Sequence, residues 1–213
     1  GLAMEHLTNG LTWLGHASFR LETSSTTVYF DPWQIKGGPK ADLILVTHEH
    51  HDHLSIEDID RLSTSETEIL CSPSCLEELA HRRARAVHPG ERVHVAGIAV
   101  EVVPAYNTDK PNHPQSAGHV GYIVESDGRR IYHAGDTDVI PEMEQVRCDV
   151  ALLPMGGTYT MNADQAAQAA ARIGAKVVVP MHWGRLVGTE RDVERMQSLM
   201  PEGARLIVLS PSE

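Results

Sequence analysis

Residues 47–53 read Thr-His-Glu-His-His-Asp-His, with four histidines and one aspartate in seven positions. Imidazole and carboxylate are the side chains that hold zinc, manganese or iron, so the stretch is a candidate metal site. Its spacing constrains the backbone. His48 and His50 are two residues apart, and on an extended chain such residues point the same way. On a helix they would not face each other. The motif therefore belongs at a strand end or in the loop after it. Asp52 and His53 follow where the chain turns and can face a second point in space. A helical His-Glu-x-x-His protease motif is excluded, because Asp52 stands where the second histidine is required.

The element that must deliver this motif is the short apolar run Asp42-Leu-Ile-Leu-Val46, which reads as a buried strand. Two other strand-like runs end the same way. Arg130-Ile-Tyr-His133 leads into Ala-Gly-Asp136, and Lys176-Val-Val-Val179 leads into Pro-Met-His182. In α/β sheets, sites gather at the carboxyl ends of strands. Three strand ends bearing metal-capable residues argue that distant parts of the chain converge.

The remaining pattern supplies a frame. Residues 11–31 read as strands with a turn at Ser24-Ser25, ending at Asp31-Pro32. His16 lies in a small-residue break between them and reads as structural or as a support to the site. Residues 33–40 form a loop. Ser55-x-x-Asp58 starts a helix to about Leu62, and Ser74-x-x-Glu77 starts another to about Ala84, with a short strand at 69–71 between them. Residues 92–103 form a hairpin, and 104–114 a long aperiodic loop of the kind that tends to be functional. Asp127-Gly128 turns a second hairpin over 119–133. Asn162 caps a helix that Gly174 ends. Thr189 opens a last helix to about Met200, and 206–209 is a final strand. Strands alternating with helices predict a layered α/β fold. No linker or repeat interrupts it, so one domain over 1–213 is expected.

Composition narrows the partners. Eighteen Lys and Arg against 29 Asp and Glu give a formal charge of −11. Phosphate contacts need clustered cations, so nucleic acid is not the expected partner; bound divalent cations would still make the pocket itself electropositive. No apolar run approaches membrane-spanning length. Residues 1–6 show no basic region followed by an apolar one, so no signal peptide is visible. Three cysteines, an odd number, do not form a disulfide framework, which points to a reduced, cytoplasmic setting.

Taken together, Thr47-His-Glu-His-His-Asp-His53, Gly135-Asp-Thr-Asp138 and Met181-His-Trp-Gly184 resemble the metallo-β-lactamase superfamily. Leu14-Gly-His-Ala-Ser-Phe19, Asp31-Pro32, Pro104-Ala-Tyr-Asn107 and Tyr132-His-Ala-Gly-Asp136 are similar to its branch of small metal-dependent hydrolases, related to ascorbate-phosphate lactonases. The resemblance spans nearly the whole chain. It implies an αββα sandwich, two mixed β-sheets flanked by helices, with a dinuclear site at one edge. It implies His48 and His50 as ligands of a first metal, Asp52, His53 and His182 of a second, and Asp136 bridging both. The third histidine of the first site should be His113, His119 or His133. His113 is favoured, because similar sequences carry an Asn-x-x-Lys-x-x-His-Pro pattern in this loop. His119 is the runner-up. His133, three residues before Asp136 on a strand, should point to the opposite face.

The expected activity is hydrolysis of an ester, lactone or phosphodiester bond in a small molecule. The expected cofactors are two divalent cations, zinc foremost, with manganese or iron as alternatives. Two cations about 3.5–4 Å apart can share a hydroxide nucleophile. Asp52 and Asp136 are the expected catalytic carboxylates, and Tyr106, Lys110, Tyr159 and Arg185 the polar pocket candidates. Iron-dependent redox chemistry in the same pocket and non-catalytic metabolite binding are the rival readings. A homo-oligomer is compatible with the sequence.

Overall fold

Three all-apolar strands sit at the centre of the architecture, and the computed structural model, which describes residues 6–212, buries each of them along its whole length. They are β4 (Leu43–Val46), β11 (Val150–Pro154) and β12 (Val177–Met181). Burial on both faces is what a parallel sheet covered by helices demands. The opening residues 1–5, read above for the lack of a signal peptide, lie outside the described residues.

The first sheet runs in chain order: β1 (Leu11–Gly15), β2 (Ser18–Glu22), β3 (Thr27–Phe30), β4, β5 (Glu68–Cys71) and β6 (Ala84–Ala86). It is antiparallel through β3 and parallel from there on. The second sheet contains β7 (Arg92–Val95), β8 (Ile98–Pro104), β9 (Val120–Ser126), β10 (Arg129–His133), β11, β12 and β13 (Arg205–Leu206). Its order is β13-β12-β11-β10-β9-β8-β7, antiparallel among β7 to β10 and parallel among β10 to β13.

Apolar side chains alternate between two faces of each sheet. Leu21, Phe30 and Leu45 of the first sheet pack against Val100, Val124, Leu152 and Val179 of the second in one buried cluster. Helix α1 (Ile56–Leu62) covers the outer face of the first sheet through Ile59 and Leu62, which meet Ile44 and Ile69. Helices α2 (Ala163–Ile173) and α3 (Glu190–Leu199) cover the second through Ala166, Ala170, Val193 and Met196. The result is the expected αββα sandwich. Tyr122 on β9 donates its hydroxyl to the carbonyl of Val46 at 2.6 Å, tying the two sheets together one residue before the histidine motif.

Local signals set the helix ends. Ser55 Oγ accepts from the backbone of Asp58, and Asn162 and Gln165 cap α2 reciprocally. Thr189 and Asp192 do the same for α3, and Gly174 ends α2 at φ +71°. The expected helix over 74–84 does not form. Only a 3₁₀ turn, Pro73–Cys75, is regular there, and 84–86 is the edge strand β6, paired in parallel with β5. Ser74 places its hydroxyl 2.7 Å from that of Ser72 instead of capping a helix. Sheet pairing outweighs local helix propensity in this segment. The last strand is also shorter than expected, ending at Leu206.

The parallel ladders fix where the site can be. The last β4 pair is Val46 with Cys71, the last β10–β11 pair is His133 with Leu152, and the last β11–β12 pair is Pro154 with Met181. His48, Asp136 and His182 therefore follow within three residues of strands that stop on one rim.

Candidate metal centre

Asp136 stands at the middle of that rim, 3% exposed. Its Oδ2 atom lies 3.4 Å from His48 Nε2, 3.0 Å from His53 Nε2, 3.2 Å from His113 Nε2 and 3.3 Å from His182 Nε2. The four imidazoles divide into two groups around it. His48, His50 and His113 bring their donor atoms within 4.8 Å of one another, and so do His16, Asp52, His53 and His182.

Four buried Nε2 atoms, of His48, His53, His113 and His182, make no hydrogen bond, nor does Asp136 Oδ1. Each buried polar atom left unsatisfied costs about 1–3 kcal/mol. Such an array of nitrogen and oxygen donors, aimed at shared points and bonded to nothing, fits divalent cations. Three nitrogens on one side and a mixed carboxylate and imidazole set on the other match zinc, and also manganese or iron.

The outer hydrogen bonds aim those nitrogens. Asp31 accepts the backbone N–H of Thr47 at 2.8 Å and the Thr47 hydroxyl at 2.6 Å. That hydroxyl has spent its only proton, so it must accept from His48 Nδ1 at 2.8 Å. His48 Nε2 is thereby left with its lone pair facing Asp136. His53 Nδ1 is 2.7 Å from Asp31 Oδ2, and His113 Nδ1 is 2.9 Å from the amide oxygen of Asn107. In each case an acceptor behind the ring orients the nitrogen in front, the arrangement typical of metal-bound histidine.

Charge within the cluster follows from burial and proximity. Burial, with His53 beside it, pushes His48 down to about 3, so it is neutral at pH 7. Burial would also lower His53, but the carboxylates of Asp136 and Asp31 outweigh it and raise that residue well above the ordinary histidine range. For Asp136 burial opposes ionisation, yet His182 and His53 hold its carboxyl well below the usual range. Asp52 is lowered too, against burial, by its hydrogen bond from His16 and by His53.

His16 is fully buried in the β1–β2 turn, with its Nε2 2.7 Å from Asp52 Oδ2. Its part in the site is larger than the sequence indicated. His119 packs beside the first group, its ring 4.8 Å from that of His48, but its Nε2 is turned to Glu49 Oε1 at 2.9 Å. His133 lies in the core, stacked on Phe30 at 5.2 Å and bonded through Nε2 to the carbonyl of Ala17. Asp31, Thr47 and Asn107, quoted above only within motifs and given no role there, are the hydrogen-bond partners behind these rings. Asp31-Pro32 ends β3, which runs parallel to β4, and that adjacency is the signal that could have found it.

A cavity of about 350 Å³ opens over the centre, with His50, Asp52, His113 and Asp136 in its lining and Tyr159 and Leu186 beside them. Of the four polar candidates, the structure brings only Tyr159 there. Tyr106 is 9% exposed and donates its hydroxyl to Glu142 at 2.7 Å. Lys110 is bound to Asp138 at 2.6 Å and to Asp109 at 3.0 Å. Arg185 lines a separate cavity of about 120 Å³ with Lys36 and Gln34. Met155, Met161 and Met181 are buried core residues.

Two mixed sheets sandwiched between helices, with histidines and aspartates gathered at one rim of parallel strand ends, define the metallo-β-lactamase class of fold. Comparisons agree. Residues 10–182 match the β-lactamase superfamily domain. A UPF0173 metal-dependent hydrolase of Archaeoglobus fulgidus is 35% identical over 230 residues, covering 95% of this chain and 96% of that protein. A crystal structure from Parabacteroides distasonis, named for an inferred metal-dependent hydrolase activity, has a TM-score of 0.85 at 33% identity, covering 93% of this chain and 91% of the other. Igni18, a metallo hydrolase from Ignicoccus hospitalis, has a TM-score of 0.78 at 27% identity, covering 95% of each chain. The chain belongs to the metallo-β-lactamase superfamily. Among the described residues no helix is long and apolar enough to cross a membrane.

Proposed function

We propose that this metal-dependent hydrolase holds two divalent cations and cleaves an ester, lactone or phosphodiester bond of a small molecule. The observation that carries the reading is the set of four partnerless imidazole nitrogens within 3.4 Å of a single Asp136 oxygen. His48, His50 and His113 would hold one cation, Asp52, His53 and His182 the other, and Asp136 both. Zinc is the first choice, with manganese or iron as alternatives. Bound cations would supply Lewis acidity toward a carbonyl or phosphoryl oxygen and an acidified water as nucleophile.

The chain's own residues do the positioning. Thr47, Asp31 and Asn107 hold the imidazoles as lone-pair donors. Asp52 lines the cavity with one oxygen committed to His16, so its carboxylate is oriented before substrate arrives. It would hold the cation and orient the attacking water. Buried Asp52, His113 and Asp136 line the cavity together with exposed His51, Asn112, Tyr159 and Leu186, and its volume of about 350 Å³ suits a small molecule better than a polymer. The formal charge of −11 further disfavours nucleic acid. All three cysteines are unpaired thiols, in keeping with a cytoplasmic setting.

Elemental analysis of protein purified without added metal, followed by zinc and manganese reloading and a panel of esters, lactones and phosphodiesters, tests the reading. Two metal equivalents and turnover of one of these bond classes are expected. Protein that takes up no metal in excess zinc and manganese would sink it. Turnover seen only with iron and consuming oxygen would move the assignment to redox chemistry.

A further inference from the structure

The loop between β12 and α3 carries two liabilities that packing does not explain. Leu186 has φ +65°, a left-handed conformation that a branched side chain rarely adopts. It is also 66% exposed, among the most exposed of the large apolar residues. The backbone N–H of Val187 donates to the carbonyl of Arg185 at 2.7 Å, closing a three-residue turn centred on Leu186, the strained form of that turn.

The loop is nevertheless pinned on both sides. Gly184 donates to the carbonyl of Gly188 at 3.2 Å. Val187 is seated on Gly156 so closely that a Cβ there would come within 2.5 Å of its side chain. A Cβ on Gly188 would come within 2.7 Å of Trp183. Two glycines make room so that this strained tip can hold its place, and what it presents to the cavity over the metal centre is a leucine. Strained residues persist only when their surroundings hold them, and they cluster at active sites and ligand clamps. Tyr159, 41% exposed, lines the same cavity.

The lining is also notable for its charge. Among the described residues that form it there is no lysine or arginine. The ammonium of Lys110 is committed to two carboxylates, and Arg185 faces another cavity. An anionic substrate group would meet no side-chain cation beyond the centre itself.

Building on the hydrolase reading above, we propose that Leu186 and Tyr159 form the specificity wall of this cavity, and that the substrate is an uncharged ester or lactone bearing a short aliphatic chain. The bond cleaved lies at the metal end, and the chain lies along Leu186. In that hydrolysis the water oxygen bonds to the acyl carbon and the acyl–oxygen bond breaks. One water proton passes to the departing alkoxide and the other is released, leaving a carboxylate and an alcohol.

The test compares p-nitrophenyl acetate, butanoate and hexanoate with bis(p-nitrophenyl) phosphate, using the metal-loaded full chain. Wild type, Leu186→Asn and Leu186→Met are assayed together. Asparagine tolerates the left-handed backbone while removing the apolar surface. In wild type and Leu186→Met, kcat/KM should rise about fourfold per added methylene, the gain expected from burying one. In Leu186→Asn the gradient should fall below about twofold per methylene. A second readout needs no turnover: hexanoate should raise the melting midpoint of wild type more than acetate or inorganic phosphate, and that preference should vanish in Leu186→Asn. An unchanged gradient or an unchanged hexanoate preference in Leu186→Asn overturns the proposal, as does faster cleavage of the phosphodiester than of every ester. If nothing in the panel and none of γ-butyrolactone, γ-hexalactone and γ-octalactone is cleaved, the ester and lactone reading fails, and the hexanoate-to-acetate comparison still decides the wall.

Discussion

His16 and Asp52 meet across 2.7 Å, although 36 residues separate them and one belongs to the first hairpin and the other to the histidine motif. The same turn reaches a second strand end. The carbonyl of His16 accepts the backbone N–H of His182 at 2.9 Å, and the two rings lie 3.9 Å apart. His16 holds φ +52° to do this, and Trp13 braces its carbonyl through Nε1. The first hairpin thus orients two of the three residues assigned to the second cation alone.

Replacing His16 with alanine should therefore weaken the second metal equivalent by about 10–100-fold, the usual cost of losing a partner that orients a ligand. The first equivalent, built from His48, His50 and His113, should change little. Isothermal titration with zinc resolves the two steps. Unchanged affinity for both equivalents would remove His16 from the site.

The three histidines that compete for the first site should separate cleanly. His113→Ala should lower metal occupancy, because its Nε2 faces Asp136. His119→Ala should leave occupancy near wild type, since that ring is turned to Glu49. His133→Ala should keep its metal but lose roughly 2–4 kcal/mol of stability, in line with truncation of a fully buried side chain. Elemental analysis alongside thermal melts distinguishes the three. A His119→Ala protein that loses metal would reverse the assignment.

The parts legible in the sequence were those written in short-range pattern. The histidine motif, the Asn162 and Thr189 caps and the Asp127-Gly128 turn are local, and each lies where the spacing places it. Convergence of Asp136 and His182 on the motif was also legible, because each follows an apolar strand. What stayed hidden depends on which strands become neighbours. Asp31 supports His48 and His53 only because β3 pairs in parallel with β4. The segment 74–84 carries helix signals, yet β5 offers residues 84–86 an open edge. Lys110 and Arg185 have the right chemistry for a pocket, but the buried carboxylate of Asp138 and a different cavity claim them. Their destinations are tertiary facts that no window of sequence contains.

The loop over 104–118 should respond to its buried ion pair. Asp138 is 2% exposed and bonds Lys110, the backbone of Thr108 and the side chain of Asn107, whose oxygen in turn accepts from His113. Lys110→Met leaves that carboxylate without its cation. A loss of about 1–3 kcal/mol is expected, below the cost of breaking a fully buried pair because the lysine retains some solvent contact. Asn107→Ala acts one step nearer and should weaken the first metal equivalent by about 10–100-fold. Denaturant unfolding and zinc titration read the two effects separately. Full stability in Lys110→Met would show that solvent replaces the pair.

Proton release should accompany metal binding, and its direction follows from His53. In the absence of metal this buried ring is an imidazolium at neutral pH, since Asp136 and Asp31 outweigh the effect of burial. A cation must displace that proton, so affinity for the second equivalent should rise with pH, by up to about tenfold per unit, until the raised pKa is passed. His48, pushed down to about 3 by burial and by His53, is already neutral and sets no such competition at the first position. For the metal-free fold the sign is opposite. A raised histidine contributes stability that is fully present below its unfolded value near 6.5 and is withdrawn as pH climbs through the folded value. Chelator-treated protein should accordingly melt lower at pH 9 than at pH 6, while metal-loaded protein should not show this loss. Titrations in buffers of different ionisation enthalpy should count about one proton released with the second equivalent. A second-site affinity that stays flat between pH 5 and 8 would place the charge on some group other than His53.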